Sequence, residues 1–299
     1  MVKRLLDCDT SDLAKMTKDE ILTAIAASEG RVLVSEVIGV IPPLLFDISN
    51  AELVAACGAD LILLNMLDLD QPDYFGLPPH EPAEVINVIK RLTGRLIGVN
   101  LEAVGENTTL PPGRRASAVN ARKARAMGAD FIVLTGNPGT AASNRVISKV
   151  LAEIAGEVGD ELIIAAGKMH AAGLRHESGE QLVTAQDVEE FITAGCDIVL
   201  LPAPGTVPGI TMEYIKGLVQ LAHSRGVLTM TTVGTSQEGA DEQTVRQIAL
   251  LAKMTGTDLH HIGDAGYPGI AVPENIIAYS IAIRGRRHTY RRMARSINR

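Results

Sequence analysis

The stretch ASAVNARKARAMGADFIVLTG, residues 116–136, carries the pattern that decides the fold. Its first part places Ala, Val and Met among charged residues with the spacing of an amphipathic helix. Gly128 can take the left-handed conformation that closes a helix. The run DFIVLTG (130–136) is apolar and contains β-branched residues, as a strand buried on both faces should. The stretch therefore predicts a helix that ends at a glycine and leads into a strand of a parallel sheet.

The same unit recurs along the chain. Glycines predicted to end helices are 30 to 36 residues apart, and four of them begin the similar entries GAD, GAD, GCD and GTD. These glycines are Gly58, Gly94, Gly128, Gly159, Gly195, Gly226 and Gly256. The predicted strands span 31–37, 60–66, 95–101, 130–136, 161–167, 197–203, 227–233 and 258–264.

Evenly spaced units of this kind predict an α/β fold, a single (β/α)8 TIM barrel. An open doubly wound sheet is the alternative, but no GxGxxG motif follows the first strand. Residues 1–30 are expected to form a helical extension that covers the barrel bottom, with a helix over KDEILTAIAAS capped by Thr17. Residues 31–299 would then form the barrel.

The last sixteen residues, 284–299, differ in composition from the rest. They contain seven Arg and no acid. We expect them to continue the last helix as a basic C-terminal helix, with an apolar stripe of Ile283, Tyr290, Met293 and Ile297. Such a helix would dock on the barrel or on a sister subunit. Nucleic-acid binding is disfavoured because no accompanying motif is present.

Composition and charge exclude several classes of protein. Hydrophobic residues make up 46% of the chain but aromatic residues only 3%, so Ala, Val, Ile and Leu must build the core. The net charge of −7 gives no overall attraction to nucleic acids or anionic membranes. The longest apolar stretch, VIGVIPPLLF, is too short to span a bilayer. Three Cys without metal or disulfide spacing fit a reducing compartment. The expectation is a cytoplasmic homo-oligomer.

Function in such barrels lies at the C-terminal ends of the strands. The predicted catalytic residues there are Lys168, Glu36, Glu102 and His170. Lys168 follows an apolar strand, so its ammonium should emerge in the barrel mouth. There it could form a Schiff base, act as an electrostatic clamp on phosphate or an enolate, or pair structurally with Glu36 or Glu102.

Other strand ends carry candidate ligands for a metal or a substrate. Glu36, Glu102 and His170 could hold a divalent cation, although neither HxH nor HExxH spacing is present. Of the neighbours His260 and His261, only one can point into the barrel. The predicted substrate-binding residues are Asn65, Asn100, Thr135, Asn137 and His261.

Glycine-rich loops after the last two strands suggest an anion site. The loops TTVGTSQEGAD and GDAGYPGIAVPEN offer backbone amides and hydroxyl groups where barrels often bind phosphate. The alternative is that the glycines only form tight turns. The predicted phosphate-binding residues are Gly234, Thr235, Ser236, Gly263, Asp264 and Gly266.

Longer stretches of the chain resemble a known family. LTGNPGT, AAGKMHAAG, LLPAPGTVPG, VGTSQEGAD, HIGDAGYPGIAVPENI and SIAIRGRRHTYRRMARSINR are similar to a bacterial family of unassigned function. Its members are often labelled haloacid dehalogenase-like hydrolase or phosphonomutase-like. The resemblance implies a barrel but assigns no catalytic residue.

Neither label fits the residues well. The dehalogenase label matches only the DxD of LLDCDTSD, where Asp7 and Asp9 precede the first barrel strand. Asp9 or Ser11 is better explained as a helix cap. The phosphonomutase label is compatible with a barrel, but the metal-binding Asp pair and the Cys loop of that superfamily are not evident.

Two classes of function remain. The first is an aldolase, lyase or isomerase that acts on a small phosphorylated metabolite by enolate or Schiff-base chemistry. The second is a non-catalytic sensor or scaffold that binds a phosphometabolite and uses the Arg-rich tail for partners. The density of polar strand-end residues favours the enzyme, because a sensor would need only the anion loops.

Overall fold

The computed structural model describes residues 3–105, 108–136, 142–171 and 177–299. Eight parallel strands close into a barrel in chain order, with β1 paired to both β2 and β8. The predicted fold class is therefore confirmed, and each strand lies within two residues of its predicted bounds. The strands are β1 (Val32–Ile38), β2 (Leu61–Asn65), β3 (Leu96–Glu102), β4 (Phe131–Thr135), β5 (Ile163–Gly167), β6 (Ile198–Pro202), β7 (Leu228–Val233) and β8 (Leu259–Ile262).

Helices alternate with the strands and form the outer layer. They are α1 (Thr10–Leu13), α2 (Lys18–Ala26), α3 (Asn50–Ala56), α4 (Val85–Thr93), α5 (Ala118–Ala126), α6 (Asn144–Val158), α7 (Ala185–Thr193), α8 (Met212–Ser224), α9 (Glu242–Met254) and α10 (Pro273–Met293). Short 3-10 turns cover Leu5–Asp7, Pro82–Glu84, Pro112–Arg114, Gly179–Gln181 and Gln237–Gly239. No helix in the described ranges is both long and apolar enough to cross a membrane.

Most of the glycines predicted to end helices have the left-handed conformation. Gly94, for example, has φ 62° and donates its amide to Lys90 O, which closes α4. The prediction was wrong for Gly159, where φ is −60° and the chain stays right-handed as α6 ends. Position in the repeat alone therefore does not fix how a helix closes.

The strands divide the apolar side chains between two clusters. Alternate residues such as Leu33, Ile62 and Ile132 face outward against the helices. The other set, including Val34, Leu63 and Phe131, fills the lower barrel interior. Leu5, Leu13, Ile21 and Ile25 belong to the interior cluster, so the segment before β1 packs directly against it.

A glycine inside the barrel makes room for a large side chain. A Cβ placed on Gly98 would lie 2.2 Å from the ring of Phe131, the one aromatic residue of the interior cluster. Gly98→Ala should therefore cost about 1–3 kcal/mol of folding stability through overpacking. Gly156→Ala is the matched control, since a Cβ there has nothing within 4 Å and should be neutral or stabilising. Equal melting temperatures for the two variants would contradict this packing.

The Arg-rich segment closes the bottom of the barrel. α10 is interrupted at Gly285, with φ 74° and ψ 164°, so it is not one continuous helix. Asp60, which precedes β2, accepts hydrogen bonds from Nη1 of Arg284 and, at 2.6 Å, from Nε of Arg292. All three side chains are buried. Nη2 of Arg95 donates to the carbonyl of Arg292.

Only part of the predicted apolar stripe is buried: Ile283 is fully buried and Met293 half-buried, but the other two residues are exposed. Tyr290 is 53% exposed and Ile297 40% exposed, whereas Arg284 and Arg292 are buried. The buried carboxylate of Asp60 explains the difference, because it binds the two guanidinium groups and so turns the arginine face inward. Burial alone would raise the pKa of this carboxyl, but Arg284 and Arg292 more than offset that and hold it below its usual value.

The DxD sequence also lies at this end of the barrel. Asp7 pairs with Arg4 and with Arg291 of α10, while Asp9 pairs with Arg295. Asp9 is the N-cap residue of α1, and its amide donates to the Asp12 carboxylate at 2.7 Å. These contacts agree with the interpretation of Asp9 as a helix cap. They also place both acids far from the C-terminal ends of the strands.

Candidate active site

The C-terminal end of the barrel holds a small polar cavity of about 120 Å³. Side chains that end different strands reach it, because alternate residues of each strand point inward. Its lining consists of Glu36, Asn65, Asn100, Thr135, Met169, His170, Gly234, Glu238, Gly263, Asp264 and Ala265. Predicted catalytic, substrate-binding and phosphate-binding residues thus meet at one place. Asn137 lies outside the described residues.

A chain of hydrogen bonds crosses the mouth. The hydroxyl of Thr135 donates to Asn100 Oδ1 at 2.9 Å, and Asn100 Nδ2 donates to Asn65 Oδ1 at 3.1 Å. Asn65 Nδ2 in turn donates to Asp264 Oδ2 at 2.7 Å. The amide of Met66 also donates to Asn65 Oδ1, which fixes the orientation of the Asn65 amide. Asp264 is therefore held through Oδ2, and its Oδ1 accepts no hydrogen bond from the described residues.

Asp264 has a strongly shifted acidity. Burial and the nearby Glu36 carboxylate raise its pKa to about 7, with a further contribution from Glu238, while Asn65 and His261 act in the opposite direction. A carboxyl group with a pKa near neutrality is half protonated at physiological pH. It can therefore act as a general acid or a general base without an external partner.

Glu238 is an acid of the site that the sequence analysis missed. It lies in the loop after β7, is 1% exposed, and its Oε1 accepts from the amide of Ala265 at 3.2 Å. Burial raises its pKa above the usual value. Asn275 of α10 donates to the Glu238 carbonyl at 2.9 Å and so anchors the loop. The only sequence signal was a Glu inside the glycine-rich loop TTVGTSQEGAD.

Glu238 also changes the interpretation of the predicted phosphate loops. Its carboxylate accepts a hydrogen bond from the amide of Ala265, in the loop after β8 that was expected to bind phosphate, and the amide of Gly263 donates to Val233 O at 2.8 Å. The hydroxyl of Thr235 donates to Thr206 O. Ser236 is exposed with φ 75°, and Gly266 packs against the backbone of Glu238. In the described parts of these loops, the protein's own Glu238 carboxylate lies where the phosphate was expected. Its negative charge disfavours a phosphate there.

Lys168 does not line the cavity, contrary to the expectation. Lys168 lies two residues after Ala166, which faces the helices, so the alternation of side chains along β5 directs Lys168 outward as well. Its side chain is completely buried and forms an ion pair with Glu177. Gly167 is required at this point because a Cβ would lie 2.4 Å from the carbonyl oxygen of Leu200. The neighbours Met169 and His170 reach the cavity instead. Glu177 was missed because it lies nine residues further along the chain, beyond any local pattern.

The position of Lys168 leads to a chemical prediction. An ammonium that is completely buried and paired with Glu177 is not positioned to attack the carbonyl of a substrate in the cavity. Treatment with borohydride and small aldehydes or ketones should therefore give no adduct at Lys168, as measured by mass spectrometry of peptides. Exposed lysines such as Lys15 provide the internal reference for nonspecific labelling. A substrate-dependent adduct at Lys168 would restore the Schiff-base hypothesis.

Glu102 is drawn away from the cavity. Arg114 Nη2 donates to its Oε1 at 2.7 Å, and Glu102 is not among the described residues that line the cavity. Its predicted catalytic role therefore gains no support. Arg114 belongs to the long loop after β3, which gave no signal in the sequence.

The two adjacent histidines point in opposite directions, as predicted. His260 faces outward, where its ring nitrogens contact Tyr279 OH and Gly30 O, and burial lowers its pKa to about 3. His261 faces inward, with Nε2 3.3 Å from Glu36 Oε2.

Burial and the charge of Lys168 lower the pKa of His170, which is consequently neutral at physiological pH.

The cavity offers little support for the predicted metal. Within the described parts of the chain, no group of three His, Cys, Asp or Glu side chains is arranged to hold a metal ion. Of the three candidates, Glu36 and His170 line the cavity, while Glu102 pairs with Arg114. The metal stays an untested prediction.

A protein-family model matches nearly the whole chain. A family model described as a domain of unknown function, DUF7916, matches residues 6–299. The chain belongs to this family. The family of unassigned function expected from the sequence is thereby confirmed, whereas the description of DUF7916 carries neither the hydrolase nor the phosphonomutase label. No curated protein matches the DUF7916 chain.

Solved structures share the fold of this DUF7916 member. The carboxyl transferase domain of Rhizobium etli pyruvate carboxylase with 3-hydroxypyruvate is 14% identical, with a TM-score of 0.58, over 95% of this chain and 52% of that chain. The same domain with pyruvate is 14% identical, with a TM-score of 0.52, over 98% and 53%. This chain thus spans about half the length of those domains. At such low identity the likeness concerns the barrel alone.

Proposed function

We propose that this chain is an enzyme of the lyase or isomerase type that transfers a proton to or from a small substrate bound in the mouth cavity. Asp264 is the proposed acid–base group, and burial together with Glu36 and Glu238 raises its pKa. The observation that carries the proposal is a carboxyl group with a pKa near 7 inside a small polar cavity at the functional end of a barrel.

The substrate expected from this site differs from the phosphorylated metabolite suggested by the sequence. Three carboxyl groups line the cavity, so a phosphate group would meet repulsion there. A phosphorylated substrate would have to place its phosphate outside the cavity and its reacting carbon inside. Asn65, Asn100 and Thr135 supply neutral hydrogen-bonding groups for a hydroxyl or carbonyl oxygen of that reacting part.

Hydrogen exchange with solvent tests the proposal without knowledge of the natural substrate. The protein would be incubated in D₂O with a panel of small hydroxy, keto and amino compounds, and carbon-bound deuterium would be measured by NMR. Exchange that depends on Asp264 supports the proposal. Compounds that bind in the cavity but never exchange would instead favour the non-catalytic sensor.

A further inference from the structure

Two carboxylate oxygens in the cavity wall have no partner. Glu36 is 3% exposed and Glu238 is 1% exposed, and both line the same cavity. Glu36 Oε1 and Glu238 Oε2 are buried atoms without a hydrogen-bond partner among the described residues. A buried acceptor of this kind, left unpaired, is costly, and that cost is relieved when a ligand supplies a donor.

The cavity also carries more negative than positive charge. Asp264 is a third carboxyl group in its lining, and His170 is neutral because burial lowers its pKa. His261 lies against Glu36, while Lys168, whose charge still reaches His170, is paired with Glu177 and does not line the cavity. The described lining therefore supplies no lysine or arginine to balance Glu36, Glu238 and Asp264.

We propose that the cavity binds the protonated amino group of a small amine substrate, with Glu36 and Glu238 receiving its N–H groups. This deepens the proposed function, because the ammonium group would belong to the molecule whose proton Asp264 transfers. An ammonium group has three donors and no acceptor, which matches acceptor-only carboxylates. The ammonium would also stabilise negative charge that develops on a neighbouring carbon.

The size and polarity of the cavity limit the amine. A volume of about 120 Å³ corresponds to roughly four water molecules, so the bound group has only a few non-hydrogen atoms. Asn65, Asn100 and Thr135 lie on the wall formed by β2, β3 and β4. They can hydrogen-bond a hydroxyl or carbonyl group next to the amine, which points to a small amino alcohol or amino ketone.

A metal ion is the competing occupant, and the geometry disfavours it. Divalent cations need several oxygen or nitrogen ligands converging at about 2.0–2.6 Å. The described residues contain no group of three His, Cys, Asp or Glu in such an arrangement. An ammonium group requires only hydrogen-bond distances and can bridge carboxylates that stand further apart.

Two molecules of nearly the same shape test the inference. Ethanolamine has an ammonium group where ethylene glycol has a second hydroxyl group. The binding of each would be measured by calorimetry at pH 8. We expect ethanolamine to bind with a Kd at least about tenfold lower than that of ethylene glycol. Glu238→Gln, which keeps an acceptor for the Ala265 amide, should remove most of this preference. Glu213→Gln, on the exposed surface of α8, should leave it intact.

Several outcomes would overturn the inference. Equal binding of both probes would remove the role of the ammonium, and this comparison needs only the unchanged protein. Tight binding of Mg²⁺ or Mn²⁺ with no binding of ethanolamine would assign the carboxylates to a metal. Binding of inorganic phosphate in the cavity would contradict the charge argument. If ethanolamine binds but no compound in the panel exchanges hydrogen, the inference stands and the proposed function is contradicted. If compounds exchange hydrogen but ethanolamine does not bind, the proposed function stands and the inference is contradicted.

Discussion

Asp264→Asn is expected to abolish hydrogen exchange and, at the same time, to raise the melting temperature at pH 8. Asn cannot transfer a proton at neutral pH, so exchange of any active compound should fall by at least about 100-fold. Asn retains an oxygen that can accept from Asn65 Nδ2. The hydrogen-bond chain from Thr135 through Asn100 therefore survives, and the loss can be assigned to the acid–base group.

The gain in stability follows from the direction of the pKa shift. The pKa of Asp264 is about 7 in the folded protein, above its ordinary value of 3.8. Between these values the folded state holds a proton that the unfolded state has lost, so stability falls as pH rises through this window. At pH 8 the half-buried Asp264 is ionised beside Glu36 and Glu238, and Asn removes both the burial of that charge and the repulsion.

The size of the effect depends on pH, which provides the check. After an allowance for partial exposure, the gain at pH 8 is on the order of 2 kcal/mol, or about 3 °C in Tm. At pH 4 the gain should nearly vanish, because Asp264 is then neutral in the folded protein. Asp160→Asn, at an exposed position, should change Tm little at either pH. A gain of the same size at both pH values would contradict the assignment.

Asp60→Asn is expected to destabilise the protein severely without touching the cavity. Asp60 neutralises Arg284 and Arg292 in a fully buried cluster at the barrel bottom, with Arg95 beside them. Burial, with a contribution from Arg292, already lowers the pKa of Arg95 to about 9. Removal of the carboxylate leaves buried guanidinium groups uncompensated, which costs about 3–5 kcal/mol. The Tm should fall by roughly 5–8 °C for a chain of this length.

A half-buried aspartate that also pairs with the Arg-rich segment is the matched control. Asp7 pairs with Arg4 and with Arg291, whose side chains are 39% and 49% exposed. Asp7→Asn should therefore cost no more than about 1 kcal/mol and leave activity unchanged. A phosphatase activity lost in Asp7→Asn with an unchanged fold would revive the dehalogenase interpretation. Equal Tm losses for Asp7→Asn and Asp60→Asn would contradict the importance of burial.

The sequence predicted the barrel because its strands are specified locally. Runs such as DFIVLTG carry their burial pattern within a few residues, and helices of similar length separate them. The same regularity placed Glu36, Asn65, Asn100 and Thr135 at one end of the barrel. Closure of the barrel then brought them together without any further information from the loops.

The rest of the site depends on irregular backbone. Lys168 was expected in the mouth because it follows a strand, but the turn after Gly167 sends His170 there and pairs Lys168 with Glu177. Glu238 lies in a loop whose glycines suggested an anion site, and the loop supplies its own anion instead. Neither contact has a period or spacing that a sequence could reveal.

The closure of the barrel bottom has a consequence for how the chain is made. Asp60 and β2 leave the ribosome more than 220 residues before Arg284 and Arg292, which bind the Asp60 carboxylate. Until those arginines emerge, the Asp60 carboxylate lacks both of its ion-pair partners and has only Arg95 nearby, and this opposes early collapse around β2. Folding of the barrel is therefore expected to wait until residues 284–292 have been synthesised, and nascent chains stalled before residue 284 should remain accessible to chaperones and proteases.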